Sequence, residues 1–238
     1  VAETRPSLIL TRPRPQAERF ADDVRARFGA RFDIVIAPVI EIVPVEATPD
    51  TSRYAALLFT SENGVRSFAA RWGARDLPAY CVGARTAAAA RAAGFAARSA
   101  GGDAAALARL VVAELPAGAR VLHLRGRHAA GDLAGRLRAA GIAADEAVIY
   151  DQAARAPSAE ALAALGSDAP VLVPLFSPRS ARLLAAALDG RARPAAGAVA
   201  LCLSPAVAAA LPAGLFADQR IAASPDAGAM LDLLAAWN

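Results

Sequence analysis

The sequence predicts an α/β protein of two domains, each a parallel sheet flanked by helices, joined by a two-stranded β ladder. Three observations carry this. First, an apolar run, a hydroxyl-bearing turn and an amphipathic stretch follow one another at residues 56–68 (ALLFTSENGVRSF) and again at 172–184 (LVPLFSPRSARLL). That order is a buried strand whose C-terminal end feeds straight into a helix. Second, the unit recurs along most of the chain, and strands alternating with helices imply parallel sheets with helices on both faces. Third, two extended segments, 38–44 and 147–153, interrupt the alternation.

In order, residues 8–10 read as a strand, Thr11-Arg12-Pro13 as its turn and 16–28 as its helix. A second strand lies at 34–37. The proline-bounded PVIEIVP of 38–44 is extended and runs into a polar loop at 46–52. Strand 57–60 enters helix 63–72, and strand 80–82 enters helix 86–93 through Gly83-Ala84-Arg85. Helix 107–115 is stopped by Pro116. Strand 121–124 leads through Arg125-Gly126-Arg127 into helix 131–139, which Gly141 closes. The extended stretch 147–153 has no helix directly behind it. Strands at 171–176, 198–203 and 220–223 each precede a helical stretch.

If the two extended segments pair, at 38–45 and 147–153, they form the ladder between domains. Residues 1–38 with 153–238 then make one discontinuous domain and 42–149 the other. Two strands acting as a hinge would leave a cleft able to open and close.

Of the 238 residues, 56% are apolar and 20% charged, which describes a globular chain with ample core. Lysine is absent, so all 26 basic residues are arginine, whose planar fork suits carboxylates. A net charge of +4 fits an acidic ligand. The arginines form no clustered stripe, so a nucleic-acid partner is not expected. Cys81 and Cys202 sit in apolar runs as small buried residues, and no metal-ligand spacing surrounds them, His123 or His128. Residues 194–217 carry no formal charge and are long enough to span a bilayer. Pro205, Pro212, Gly197 and Gly214 break that run, so a strand, a turn and an alanine helix are expected instead. No secretory signal precedes the first strand, which points to a cytoplasmic protein.

The turns carry a resemblance over nearly the whole chain. LTRP (10–13), FTSENGV (59–65), CVGARTA (81–87), LRG (124–126) with its following L-x-x-x-G, VIYD (148–151) and FSPRS (176–180) occur in order and at matching spacing. Together they resemble uroporphyrinogen-III synthase. The resemblance implies a two-domain protein without metal or organic cofactor that cyclises hydroxymethylbilane to uroporphyrinogen III. Water is lost and the last pyrrole ring is inverted through a spiro intermediate. One turn departs from the family pattern, since LSPAVA (203–208) lacks the usual threonine. The expected partner is a linear tetrapyrrole, with a monomer as the expected state. The resemblance also admits transient contact with the bilane-producing enzyme, and no membrane.

Such a substrate carries many carboxylates, so donors spread over several rims are expected. Thr60, Ser61 and Asn63 in one domain, and Ser177, Ser180 and Ser204 in the other, open helices whose backbone N–H groups suit anions. Arg12, Arg85 and Arg125 stand at strand ends, and Gly83, Thr86 and Gly126 belong to the matching motifs. Each hydroxyl also has a plain reading as a helix cap worth about 1 kcal/mol. Tyr150 matches the tyrosine the family keeps on its exit strand, where it would face the cleft. Its phenol, with pKa of about 10, stays protonated at neutral pH and can donate to the leaving hydroxyl. The alternative is a non-catalytic two-domain module that binds an acidic tetrapyrrole.

Overall fold

The computed structural model describes residues 5–128, 131–191 and 194–237. It opens with β1 (Ser7–Leu10), α1 (Arg14–Phe28), β2 (Asp33–Ile36), β3 (Ile40–Pro44) and β4 (Ala56–Phe59). There follow α2 (Glu62–Ala69), β5 (Ala79–Cys81), α3 (Ala84–Ala92), β6 (Ala97–Ser99), α4 (Ala104–Glu114), β7 (Arg120–Gly126) and α5 (Leu133–Ala139). The remainder is β8 (Ala143–Ala154), α6 (Ala159–Leu165), β9 (Val171–Leu175), α7 (Pro178–Leu188), β10 (Ala198–Cys202), α8 (Pro205–Ala208), β11 (Asp218–Ile221) and α9 (Ala227–Ala235). The chain divides into two compact units, one of residues up to Glu41 with those from Ala153 onward, the other of Ile42–Gln152.

The discontinuous unit holds a sheet of order β11-β10-β9-β1-β2 in which every pairing is parallel. β9 (VLVPL) and β10 (AVALC) are buried at every residue, as strands covered on both faces must be. Because β1 pairs with β9, the two ends of the chain share one core. Leu8, Leu10, Phe20, Val24, Met230 and Leu234 pack together on the face covered by α1 and α9. Pro174 lies inside β9 and has no N–H to give. The ladder to β1 stops at Leu172, two residues before it, whereas the ladder to β10 runs through Leu175.

The continuous unit holds the order β3-β8-β7-β4-β5-β6. β4 shows how alternation builds its layers. Leu57 and Phe59 point to one face, where they meet Val65, Phe68, Ala87, Ala90 and Phe95 of the α2 and α3 side. Ala56 and Leu58 point to the other, against Leu107, Val111, Leu133 and Leu137 of α4 and α5. On the α2 side Phe59, Phe68 and Phe95 meet at centroid distances of 5.8 to 6.2 Å, and Phe68 stacks on Trp72 at 5.3 Å.

Several boundaries differ from the sequence expectation. β8 opens at Ala143 rather than 147, because its first residues pair with β7 from Arg120 onward. The three-residue strand β6 has no apolar run to announce it. The expected alanine helix after β10 is only Pro205–Ala208, cut short before Pro212. Among the described residues no helix is long and apolar enough to cross a membrane.

Candidate functional site

The alternation of β4 continues past its last residue and aims two consecutive hydroxyls at opposite sides of the sheet. Thr60 follows Leu58 toward the α4 and α5 side, and Ser61 follows Phe59 toward the α2 side. Ser61 is also the N-cap of α2, its Oγ accepting the Gly64 N–H at 3.1 Å.

On the α2 side, Ser61 meets Tyr150. The two hydroxyl oxygens are 2.8 Å apart. A slip in the β7–β8 register brings the ring there: Arg125 pairs with Val148, but Gly126 pairs with Tyr150 and leaves Ile149 as an extra residue. The ring then lies across Gly126 so closely that a Cβ at that position would be 2.6 Å from Tyr150 Cζ. Tyr150 is 3% exposed, whereas Ser61 is half-buried. Burial pushes the phenol pKa up, against the smaller opposing effects of hydrogen bonds with Ser61 and the Gly126 backbone. The group is therefore a neutral phenol at physiological pH. Gly126→Ala should force the ring aside and lower stability by about 1–3 kcal/mol in urea unfolding, with turnover falling alongside. Unchanged stability and turnover would mean that the ring does not depend on this glycine.

On the other side, Thr60 Oγ1 lies 3.1 Å from Nε2 of His123, which is 3% exposed. His123 Nδ1 is 3.3 Å from Glu146 Oε1, and Arg125 Nε is 2.8 Å from the same oxygen. Both approaches are close but bent, so neither nitrogen makes a well-aligned hydrogen bond there. Burial pushes the imidazole pKa down to about 4, with Glu146 working against that shift and Arg125 reinforcing it. Arg125 also donates to the backbone carbonyls of Gly126 and Arg127, at 3.1 and 3.4 Å.

The structure thus gathers Tyr150, Ser61, Thr60, Gly126 and Arg125 where β4 and β7 end beside the middle of β8. Asn63 lies in the first turn of α2 and is half-buried. Gly83 caps α3 with no side-chain hydrogen bond, which leaves that helix start with open backbone N–H groups. Arg85 beside it is exposed, while Thr86 is turned inward at 5% exposure.

The remaining residues belong to the discontinuous unit. There the Arg12 guanidinium lies 4.1 Å from the centre of the Phe176 ring. Ser177 caps α7, accepting the Ser180 N–H at 3.1 Å, and its Oγ is 2.9 Å from that of the buried Ser180. Ser204 precedes the short α8 without a side-chain cap bond.

Sequence reasoning missed His123 and Glu146. They are direct partners across the β7–β8 register. Their signal is a polar residue at the same depth of two neighbouring strands, which becomes readable only once the register is known. Among the described residues no group of three or more His, Cys, Asp or Glu side chains is placed to hold a metal ion.

The family model described as uroporphyrinogen-III synthase HemD matches residues 22–232. Among solved structures, uroporphyrinogen-III synthetase from Helicobacter pylori 26695 is 19% identical with a TM-score of 0.69, the match covering 99% of this chain and 100% of that one. At that identity the likeness bears on the fold alone. A mutant uroporphyrinogen III synthase from the extremely thermophilic bacterium Thermus thermophilus is 18% identical with a TM-score of 0.47, covering 97% of each chain. No curated protein sequence matches significantly.

Proposed function

The chain belongs to the uroporphyrinogen-III synthase family, and from that premise we propose that the Ser61–Tyr150 hydroxyl pair helps the substrate's hydroxyl to leave. The family reaction cyclises hydroxymethylbilane to uroporphyrinogen III. Eliminating water to close the ring makes it lyase chemistry. The observation that carries the assignment of residues is the 2.8 Å contact between a buried phenol and a half-buried serine at one strand end.

A serine oxygen has two acceptor sites and one proton to give. Ser61 Oγ already accepts from the Gly64 N–H. If it also accepts from Tyr150, its own proton has nowhere to point but outward. The buried phenol then acts through the accessible serine. It polarises Ser61, and Ser61 donates to the terminal hydroxyl of the bilane. The C–O bond breaks with its electron pair going to oxygen, which takes up a proton and departs as water. The pyrrole nitrogen lone pair delocalises into the vacated carbon and gives a cationic azafulvene. Attack from the substituted carbon of the last ring forms the spiro intermediate. The original bond from that carbon to the preceding bridging carbon then breaks, and the bridging carbon bonds instead to the ring's unsubstituted α carbon, which inverts the ring and closes the macrocycle. The proton consumed with the leaving group returns when the cyclised product regains its aromatic ring.

Loss of water and ring closure also proceed without a catalyst, to the isomer that lacks ring inversion. The enzyme's contribution is therefore to restrict the bilane to the fold that inverts. The open backbone N–H groups at the start of α3 supply donors for carboxylates, as does Arg85 beside them.

The test is Ser61→Ala beside Ser61→Thr in a single-turnover assay on freshly generated hydroxymethylbilane. The alanine variant should lose roughly 10- to 100-fold in rate, and the threonine variant should keep most of it. The cap lost with Ser61→Ala costs about 1 kcal/mol of stability, which unfolding measures separately. A wild-type rate in a folded Ser61→Ala protein rules out the hydroxyl pair.

A further inference from the structure

A linear tetrapyrrole presents two kinds of polar group. Its carboxylates need donors, and its pyrrole N–H groups need acceptors. Helix starts and arginines provide donors readily, so an acceptor at the rim has to be built.

The neighbours of Thr60 decide which kind it is. His123 is held between Thr60 on its Nε2 side, at 3.1 Å, and Glu146 on its Nδ1 side, at 3.3 Å. A carboxylate oxygen beside a ring nitrogen attracts an N–H and repels a lone pair, and burial at 3% exposure leaves no water to relieve that repulsion. The proton of the neutral ring therefore sits on Nδ1. Nε2 is left as an acceptor, and the hydrogen bond across 3.1 Å has to be donated by the Thr60 hydroxyl. Arg125 lies 2.8 Å from the same Glu146 oxygen and places a positive charge beside that carboxylate. The low imidazole pKa, about 4, keeps the ring neutral through the physiological range.

We infer that His123 is a positioning residue that turns the Thr60 proton inward, so that Thr60 offers only lone pairs outward and accepts a pyrrole N–H of the substrate. The inference rests on reading the Thr60–Ser61 turn as a substrate rim. It changes the role of Thr60 from the carboxylate donor expected from the sequence to an acceptor. The two adjacent hydroxyls then have opposite polarity. Thr60 receives a hydrogen bond, and Ser61 gives one.

Two measurements test it. The first is nitrogen-15 NMR of histidine-labelled free protein at neutral pH, with the His123 signals identified by their loss in His123→Gln. It should show one neutral tautomer protonated at Nδ1. Protonation at Nε2 overturns the inference, because Thr60 would then be the acceptor and its proton free to point outward. This result does not depend on any catalytic role of Ser61 or Tyr150, so the two readings can fail separately.

The second is kcat/KM on hydroxymethylbilane for Thr60→Val, Thr60→Ser, His123→Leu and the double variant Thr60→Val with His123→Leu. Thr60→Val should lose roughly 3- to 10-fold and Thr60→Ser should recover it. If His123 acts through Thr60, the double variant should be no worse than the poorer single one. Multiplying losses, or a Thr60→Val protein with wild-type kcat/KM, would overturn the positioning role.

Discussion

Tyr150→Phe should lower the turnover of hydroxymethylbilane by roughly 10- to 300-fold while the product remains isomer III. The substitution removes one oxygen and leaves a ring of nearly the same shape in the same pocket. What is lost is the hydrogen bond to Ser61, 2.8 Å long, and with it the polarisation of the serine proton. The isomer should not change, because inversion depends on how the bilane is folded and the phenol acts on the leaving group. Since burial raises the phenol pKa, the rate should not fall as pH rises from 7 to 9 through ionisation of Tyr150. Rate and isomer ratio are both read from the same chromatogram. A folded Tyr150→Phe protein with the wild-type rate would remove the phenol from the mechanism.

Arg75→Ala should be the most destabilising single change in the continuous unit outside its apolar core, at about 2–4 kcal/mol. The guanidinium is used as a fastener for backbone. It donates to the carbonyls of Ala93 at 2.7 Å, Trp72 at 2.7 Å, Ala74 at 2.8 Å and Ala69 at 3.1 Å. Ala69 ends α2 and Ala93 follows α3, so one cation serves the negative ends of two helices. Its charge also lies 4.7 Å from the centre of the Phe95 ring. A lysine has no planar fork to reach these carbonyls together, so Arg75→Lys should recover less than half of the loss. Thermal melting should fall by roughly 5–15 °C for the alanine variant. A shift of under about 1 °C would show that the carbonyls find equal partners in water. The isomer ratio should be untouched.

The parts legible in the sequence are those whose causes are local. A strand end, a hydroxyl cap and an amphipathic helix stand next to one another in the chain, so FTSENGV and FSPRS announce their turns unaided. The same locality places Ser61 at the start of α2, where it caps Gly64. What stays hidden depends on partners distant in sequence. Glu146 meets His123 only through the β7–β8 register. The slip that turns Tyr150 onto Gly126 has no mark of its own within VIYD. The sequence suggests an outward-facing tyrosine, whereas the structure buries it and makes Ser61 the accessible hydroxyl. Thr86 is a similar case. It stands in a turn motif that suggests a ligand contact, yet helix geometry rotates it inward toward Ala87 and Ala90 and their core. β6 leaves no trace because its residues, ARS, are too few and too polar to show a period.

If this chain folds the bilane so that the last ring inverts before closure, the isomer it releases reports that directly. The most direct measurement supplies hydroxymethylbilane from its own synthase in the presence of this protein, oxidises the products and separates the porphyrin isomers. Isomer III should dominate with the protein present, and isomer I with the protein omitted or heat-denatured. Isomer I alone with the folded protein, beside a control enzyme that gives isomer III, would contradict the account.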